Sequence, residues 1–172
     1  MRFFSSFRTT LEMIKFEHTV FALPFALLSA ILASGGLPSG AKLFWIVIAM
    51  IGARSAAMAF NRIADWRIDA ENPRTAGRAL PTGQLSVRFA VYFTLGSSLL
   101  FLLAAHRLNP LCLKLAVPLL LILFSYSYTK RFTNYSHLIL GLCLGLAPLG
   151  AWISIRGDVQ ATPILLSFIV LL

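Results

Sequence analysis

Long apolar blocks alternate with short polar interruptions along this chain. Inside the blocks there is no trace of the two-residue alternation that marks a half-buried strand. A polar, partly amphipathic leader occupies residues 1–17. The first apolar span runs from about His18 to Ala33 and stops at Gly35-Gly36-Leu37-Pro38. The second begins near Leu43 and continues to about Asn61, its helix extending towards Asp69, and a polar segment then reaches about Ser86. Further spans cover about Phe89 to Ala105, Leu111 to Tyr126 and Leu138 to Ile155. A sixth begins near Thr162 and is apolar to Leu172. Blocks of roughly 15 to 22 residues are long enough, as helix, to cross a bilayer core of about 30 Å. The predicted fold is all-α: a multi-span transmembrane helical bundle of about five complete spans and a partial sixth. It forms one membrane domain over residues 1–172. The sixth span has only about ten residues, roughly half a crossing, so the chain reads as truncated within that helix.

Composition supports the membrane reading. Hydrophobic residues make up 58% of the chain and charged residues only 12%, against about a quarter in a soluble domain. A net charge of +9 would ordinarily raise the question of nucleic acid. Here the Lys and Arg residues sit between apolar spans, where the positive-inside rule places them, and no nucleic-acid partner is expected. Arg2, Arg8 and Lys15 in the leader, Arg62, Arg67, Arg74, Arg78 and Arg88 after the second span, and Lys130 and Arg131 after the fourth mark one side of the membrane. Lys42, Arg107, Lys114 and Arg156 mark the other. The richer side is predicted to be cytoplasmic, together with the N-terminus, as in a bacterial inner membrane. Glu12 and Glu17 make the leader too acidic for a signal peptide, so the first span is read as retained. Cys112 and Cys143 lie in apolar spans without a CxxC pattern and read as small buried hydrophobes.

The chemistry is concentrated in Asn61-Arg-Ile-Ala-Asp65-Trp-Arg-Ile-Asp69, followed by Ala-Glu-Asn-Pro-Arg-Thr-Ala-Gly-Arg-Ala-Leu-Pro-Thr-Gly. Asn61, Asp65 and Asp69 are spaced i, i+4, i+8, which stacks them on one helix face with a drift of about 40° per step. Arg54 lies seven residues earlier on the same stripe. Two carboxylates one turn apart repel unless a positive charge intervenes, and either arginines or a divalent cation would serve. Mg²⁺ takes one or two carboxylates plus waters and substrate phosphates. Asn61, Asp65 and Asp69 are therefore the candidate metal-binding residues, and with Arg54 the candidate catalytic set. Arg62, Arg67, Arg74 and Arg78 suit the oxygens of a metal-bridged diphosphate. A solvated loop of mixed charges is the plainer alternative. Arg54 argues against it, because a guanidinium inside an apolar span costs about 2.5–3.5 kcal/mol and usually faces a functional cavity.

Tyr126-Ser-Tyr-Thr-Lys130-Arg131 forms a second polar cluster. Tyr126 and Lys130 are i, i+4 neighbours, and these two with Arg131 are candidate diphosphate ligands; a basic anchor flanking the membrane is the alternative. His18, at the mouth of the first span, is a weak candidate for acceptor binding against an ordinary interfacial placement. Gly141-Leu-Cys-Leu-Gly145 permits close helix packing. Pro24, Pro118 and Pro148 are candidates for helix kinks.

The segment from Asn61 to Gly83 resembles the first Asp-rich motif of the UbiA family of intramembrane prenyltransferases. Asn61, Asp65 and Asp69 match its Asn/Asp/Asp spacing. Arg74 to Gly83 matches its Arg-x-x-x-Arg-x-Leu-Pro-x-Gly continuation, and Tyr126 to Lys130 its Tyr-x-x-x-Lys element. The leader from Ile14 to Phe25 is similar to the 4-hydroxybenzoate polyprenyltransferase branch. The resemblance implies a nine-helix membrane enzyme with a central cavity. It would transfer a polyprenyl group from a polyprenyl diphosphate to an aromatic acid acceptor, with Mg²⁺ held by two Asp-rich motifs. The branch resemblance favours 4-hydroxybenzoate, with a hydroxynaphthoate as the alternative acceptor. The family's second Asp-rich motif belongs after the sixth helix, beyond this chain's last residue, and Asp158 lies on the wrong side to replace it. Residues 1–172 alone are therefore expected not to catalyse transfer. A membrane transporter fragment or a non-catalytic remnant are the competing readings, and neither needs the Asp stripe followed by paired arginines. No protein partner is evident.

Overall fold

The computed structural model describes residues 2–129, 131–132 and 136–171, without the side chains of residues 2–6, 17–21, 136, 137, 140, 170 and 171. Seven helices form among the described residues and no strand: α1 (Arg2–Met13), α2 (Glu17–Ser34), α3 (Gly40–Glu71), α4 (Val87–Leu108), α5 (Pro110–Thr129), α6 (Ser136–Arg156) and α7 (Ala161–Leu171). Each of the six predicted spans falls on one of α2 to α7. The leader adds α1, a polar-faced helix that is not a span.

Local signals fix the boundaries. Gly35, at φ 68°, ends α2 by turning its N–H back onto the carbonyls of Ile31 and Leu32, a conformation that costs glycine nothing. The hydroxyls of Ser39 and Ser86 cap α3 and α4 by accepting from the N–H groups of Lys42 and Phe89. Asn109 caps α5 by accepting from the N–H of Cys112 at 2.8 Å, and Pro110 takes the first helical position, where a missing N–H costs nothing.

By length and apolar composition α3, α4 and α5 qualify as membrane-crossing helices, while the apolar stretches Ala22–Ser34 of α2 and Gly141–Arg156 of α6 are shorter. At 32 residues, α3 extends about 48 Å, well beyond a ~30 Å core. That excess carries Asp65 and Asp69 past the apolar slab on a continuous helix. Leu95, Leu99 and Leu103 of α4, Leu121 of α5 and Leu165 of α7 are exposed, an outer surface suited to lipid and unsuited to water.

Small residues dominate the interior, because close helix approach is what stabilises packing once lipid removes the hydrophobic drive. Ala56, Ala59, Ala104 and Ala105 are buried between α3 and its neighbours. At Gly52 an added Cβ would sit 2.9 Å from the backbone nitrogen of Phe101, so α3 and α4 touch backbone to backbone. Gly145 does the same for α6 and α7, where a Cβ would meet the Ser167 carbonyl oxygen at 2.6 Å. Of the predicted small-residue pair, Gly145 makes such an approach; the surroundings of Gly141 lie outside what is described. Helix ends gather in two groups. The end of α3, the 72–86 segment, the start of α4 and the residues after α5 form the Asp end. The starts of α3 and α5 meet the ends of α4 and α6 at the far end.

Candidate functional site

A cavity of about 590 Å³ runs between α3, α4, α5 and α6. Its lining on α3 extends from Ile46 to Asn61, a depth of about 22 Å along the helix. Most of the wall is apolar: Met50, Ala53, Phe101, Leu119, Leu123 and Leu146 are typical. The polar groups are few. Arg54, Asn61 and Tyr126 reach it, and so does Lys15 from the turn between α1 and α2.

Arg54 is half-buried in this wall. Its Nε is buried without a hydrogen-bond partner among the described residues. A guanidinium without a local anion in an apolar cavity is a costly arrangement, and it makes the group available to an anion that enters. Asn61, two turns along, donates from Nδ2 to the buried Ser127 hydroxyl at 3.3 Å, which ties α3 to α5.

Asp65 and Asp69 do not line the cavity. The 40° drift per step carries them off the cavity wall, and both are buried, Asp69 against the 72–86 segment and Asp65 beside Arg131. Arg78 closes on Asp69, its Nη1 lying 2.7 Å from both carboxylate oxygens. The Thr75 hydroxyl donates to the Asp69 carbonyl at 3.1 Å, so the loop is fastened to the helix end twice. Arg131 approaches Asp65 at 3.4 Å while its Nη2 also donates to the Ala64 carbonyl. The expected stripe is thus divided: Arg54 and Asn61 belong to the cavity, and the carboxylates belong to an arginine-neutralised cluster at its mouth. Of the two ways to relieve the carboxylate repulsion, this structure displays the arginine one.

The remaining predicted residues separate. Arg62 is buried and donates from Nε to the Met13 carbonyl at 3.1 Å, holding α1 onto the core cluster of Met13, Ile14, Ala59, Leu80, Leu85 and Ala90. It stands among the charges of Asp65, Asp69 and Arg78 but does not face the cavity. The Arg74 side chain is exposed at the start of the loop. Lys130 lies outside the described residues, and so does the side chain of His18. Cys112 and Cys143 are free and half-buried, and both line the cavity, where the sequence had them simply buried. Lys15 was missed as a cavity residue. Its position depends on a turn at φ 48°, which the leader's pattern does not announce.

Comparison with known proteins follows these features closely. The family described as "UbiA prenyltransferase family" matches residues 22–172. The 4-hydroxybenzoate octaprenyltransferase of Methylobacillus flagellatus is 34% identical over an alignment covering 74% of this chain and 47% of that protein. The Nitrosomonas eutropha protein of the same name is 40% identical, covering 64% and 39%. The chain spans about half the length, or less, of these curated relatives. Among solved structures, the apo UbiA homologue of Aeropyrum pernix K1 superposes with a TM-score of 0.79 at 36% identity, covering 90% of this chain and 57% of that one. A homologue from Archaeoglobus fulgidus, solved bound to DMAPP and Mg²⁺, shares the fold at a TM-score of 0.73 and 20% identity, covering 95% and 60%.

Proposed function

The chain belongs to the UbiA prenyltransferase family, and from that premise we propose that it forms the donor-binding part of an intramembrane aromatic prenyltransferase. The substrates are a polyprenyl diphosphate and an aromatic acid, best 4-hydroxybenzoate, in the formation of a ubiquinone-type precursor. One observation carries the reading: an apolar cavity that follows α3 for about 22 Å ends at Asn61, one turn before paired carboxylates and arginines, and holds in its wall Arg54, whose Nε has no partner among the described residues.

Each part has a task in the reaction. The apolar wall takes the prenyl chain and keeps water from the allylic carbon as the diphosphate leaves. Arg78, Arg131 and the exposed Arg74 offer hydrogen bonds to the departing diphosphate oxygens. Arg54 meets the acceptor's carboxylate and so orients the ring towards the allylic carbon; Nε and one terminal nitrogen can bind both oxygens. Asn61 and Tyr126 stand between that carboxylate site and the mouth.

The donor set at the mouth fits Mg²⁺. Two carboxylates one turn apart are hard oxygen ligands, and no group of three or more His, Cys, Asp or Glu is gathered among the described residues. Such a site needs phosphate oxygens to be completed, which is the way Mg²⁺ is usually bound. Asp65 and Asp69, with Asn61, would hold the ion, which when bound supplies charge neutralisation of the diphosphate. Arg78 and Arg131, beside those carboxylates, would be at hand to pair with phosphate oxygens.

A hydroxynaphthoate acceptor would use the same chemistry and the same Arg54 contact. The names of the bacterial relatives favour the benzoate. The deciding experiment supplies the intact protein, in native membranes, with polyprenyl diphosphate, Mg²⁺ and either acceptor. Prenylated 4-hydroxybenzoate as the main product supports the assignment, and preferential naphthoate turnover replaces it. The location is an inner membrane with the Asp end cytoplasmic. A cysteine placed at Thr82 should then react with an impermeant maleimide only after permeabilisation, and reaction from outside intact cells reverses the topology.

A further inference from the structure

The far end of the cavity is flanked by two polar side chains, Lys42 and Asn109, whose hydrogen bonds go to the backbone. Lys42, in the first turn of α3, donates from Nζ to the carbonyl of Leu108 at 2.8 Å and to that of Ser154 at 2.9 Å. Those carbonyls lie at the C-terminal ends of α4 and α6. Asn109, between α4 and α5, donates from Nδ2 to the Ile153 carbonyl at 2.7 Å and accepts from the Cys112 N–H at 2.8 Å. Leu108, Cys112, Ile153 and Ser154 all line the cavity. The clasp therefore ties together the parts of α4, α5 and α6 that line this end.

The choice of residue has a physical reason. The last four carbonyls of a helix lack partners within it and carry the negative end of the helix dipole. Where two such ends converge beside an apolar cavity, water is the default partner. An ammonium with three donors satisfies both ends at once and replaces that water with fixed, charge-assisted bonds. Ala26, Ala30, Ile46, Leu108 and Ala151 pack as a buried cluster beside it.

We propose that Lys42, seconded by Asn109, is a positioning residue for the reaction: it seals the far end of the cavity against water. This rests on the prenyltransferase reading, because the seal matters to chemistry only if an allylic cation forms inside. When the seal leaks, the donor's allylic C–O bond still breaks and diphosphate leaves with the electron pair. Water then supplies the oxygen in place of the acceptor's ring carbon and loses a proton to solvent, giving prenyl alcohol.

The test has two readouts in the intact protein. In a background where every other cysteine is replaced by serine, the Cys112 thiol alone reports the far end, in right-side-out vesicles exposed to a charged, impermeant maleimide. Lys42→Met should raise its labelling rate by roughly tenfold or more as the end opens, and Lys42→Arg should restore slow labelling. In the otherwise native protein, Lys42→Met should raise prenyl alcohol relative to prenylated product by a similar factor, with Lys42→Arg again close to native. If Lys42→Met does not accumulate, Asn109→Asp decides the matter. It keeps the cap on α5 but removes the donor to Ile153, and it should give the same two changes at smaller size. An inserted variant with unchanged Cys112 labelling and an unchanged ratio of alcohol to product overturns the seal. A native protein that forms no prenylated product overturns the prenyltransferase reading instead, and the labelling result still judges the seal.

Discussion

At the Asp end, Arg78 and Arg131 face carboxylates; at the far end, Lys42 faces two backbone carbonyls. The first arrangement can be exchanged. On the proposed reading, the carboxylates would serve a metal ion and the arginines a phosphate, with every charge still paired. The second has no anion to hand over, because its acceptors are helix-terminal carbonyls fixed in the backbone. One end pairs charge with charge, and the other pairs a charge with fixed backbone dipoles. Exposure agrees with this: the Arg78 side chain keeps 34% of its surface open beside an Asp69 that keeps 8%.

The comparison breaks most visibly if the carboxylates prove to be structural. Asp69→Asn and Asp65→Asn should each lower prenyl transfer by roughly 10²–10³-fold, the scale of losing a charge-stabilising group. Insertion and thermal stability should change little, because the partly exposed Arg78 can turn to water. Steady-state turnover and a thermal shift on the same sample check this. A variant that unfolds while retaining turnover per folded molecule would make the Asp end a fixed clasp like the far end. Arg78→Ala should be the more destabilising member of the pair, by about 3 kcal/mol, since it strands a buried carboxylate.

Arg54 lies between the two ends and belongs to neither scheme, as it has no partner to exchange or to hold. Arg54→Met should raise the acceptor KM by roughly 10–100-fold, the cost of one charged hydrogen-bonded contact, and leave the donor KM within about twofold. It should also stabilise the fold slightly by removing an unpaired cation from an apolar wall. Equal effects on both substrates would place Arg54 in the diphosphate site.

The sequence made some of this legible and hid the rest for identifiable reasons. The spans were readable because each apolar block is long enough to bound its helix unaided. The Asp stripe and Arg54 were readable because a charge on an apolar helix is rare. What helical spacing could not give was the consequence of drift. Forty degrees per step is small, yet one step past Asn61 already takes Asp65 off the cavity wall, and a second leaves Asp69 against the 72–86 segment. Arg62 was assigned to phosphate beside its neighbours. It turned instead to the Met13 carbonyl, a partner 49 residues away, and backbone carbonyls leave no mark in a sequence. Lys42 was hidden in the same way. It read as a loop charge on the poorer side of the membrane, and its partners lie 66 and 112 residues on.

Packing supplies a control for all the activity variants. Gly52 lies on the α3 face that touches α4 and is not itself a lining residue, and a Cβ there meets the backbone, rather than the ring, of the lining residue Phe101 at 2.9 Å. Gly52→Val should destabilise the fold by about 1–3 kcal/mol through overpacking. Transfer per folded molecule should be nearly unchanged, and so should the ratio of alcohol to product. Thermal unfolding in detergent and product analysis on the folded fraction measure these. A loss of turnover matching that of Asp69→Asn would mean that the α3–α4 contact itself sets the site.

The smallest expected effect is the sharpest discriminator between the ends, because it compares two amide bonds of similar kind. Asn61 reaches Ser127 across α3 and α5 near the mouth, and Asn109 reaches Ile153 at the far end. The Asn61 bond is long, at 3.3 Å, and ends on a hydroxyl that is fully buried. Ser127→Ala removes one modest bond worth about 1 kcal/mol and leaves the Asn61 amide less well aimed. Turnover should fall by roughly fivefold, since an orienting contact near the reacting groups has been loosened. The fraction of donor lost as prenyl alcohol should not rise, because the far end stays shut. Asn109→Asp should show the opposite signature, with modest loss of turnover and a raised alcohol fraction. If Ser127→Ala instead increases the alcohol fraction, water enters by the mouth as readily as by the far end, and the cavity has no single sealed side.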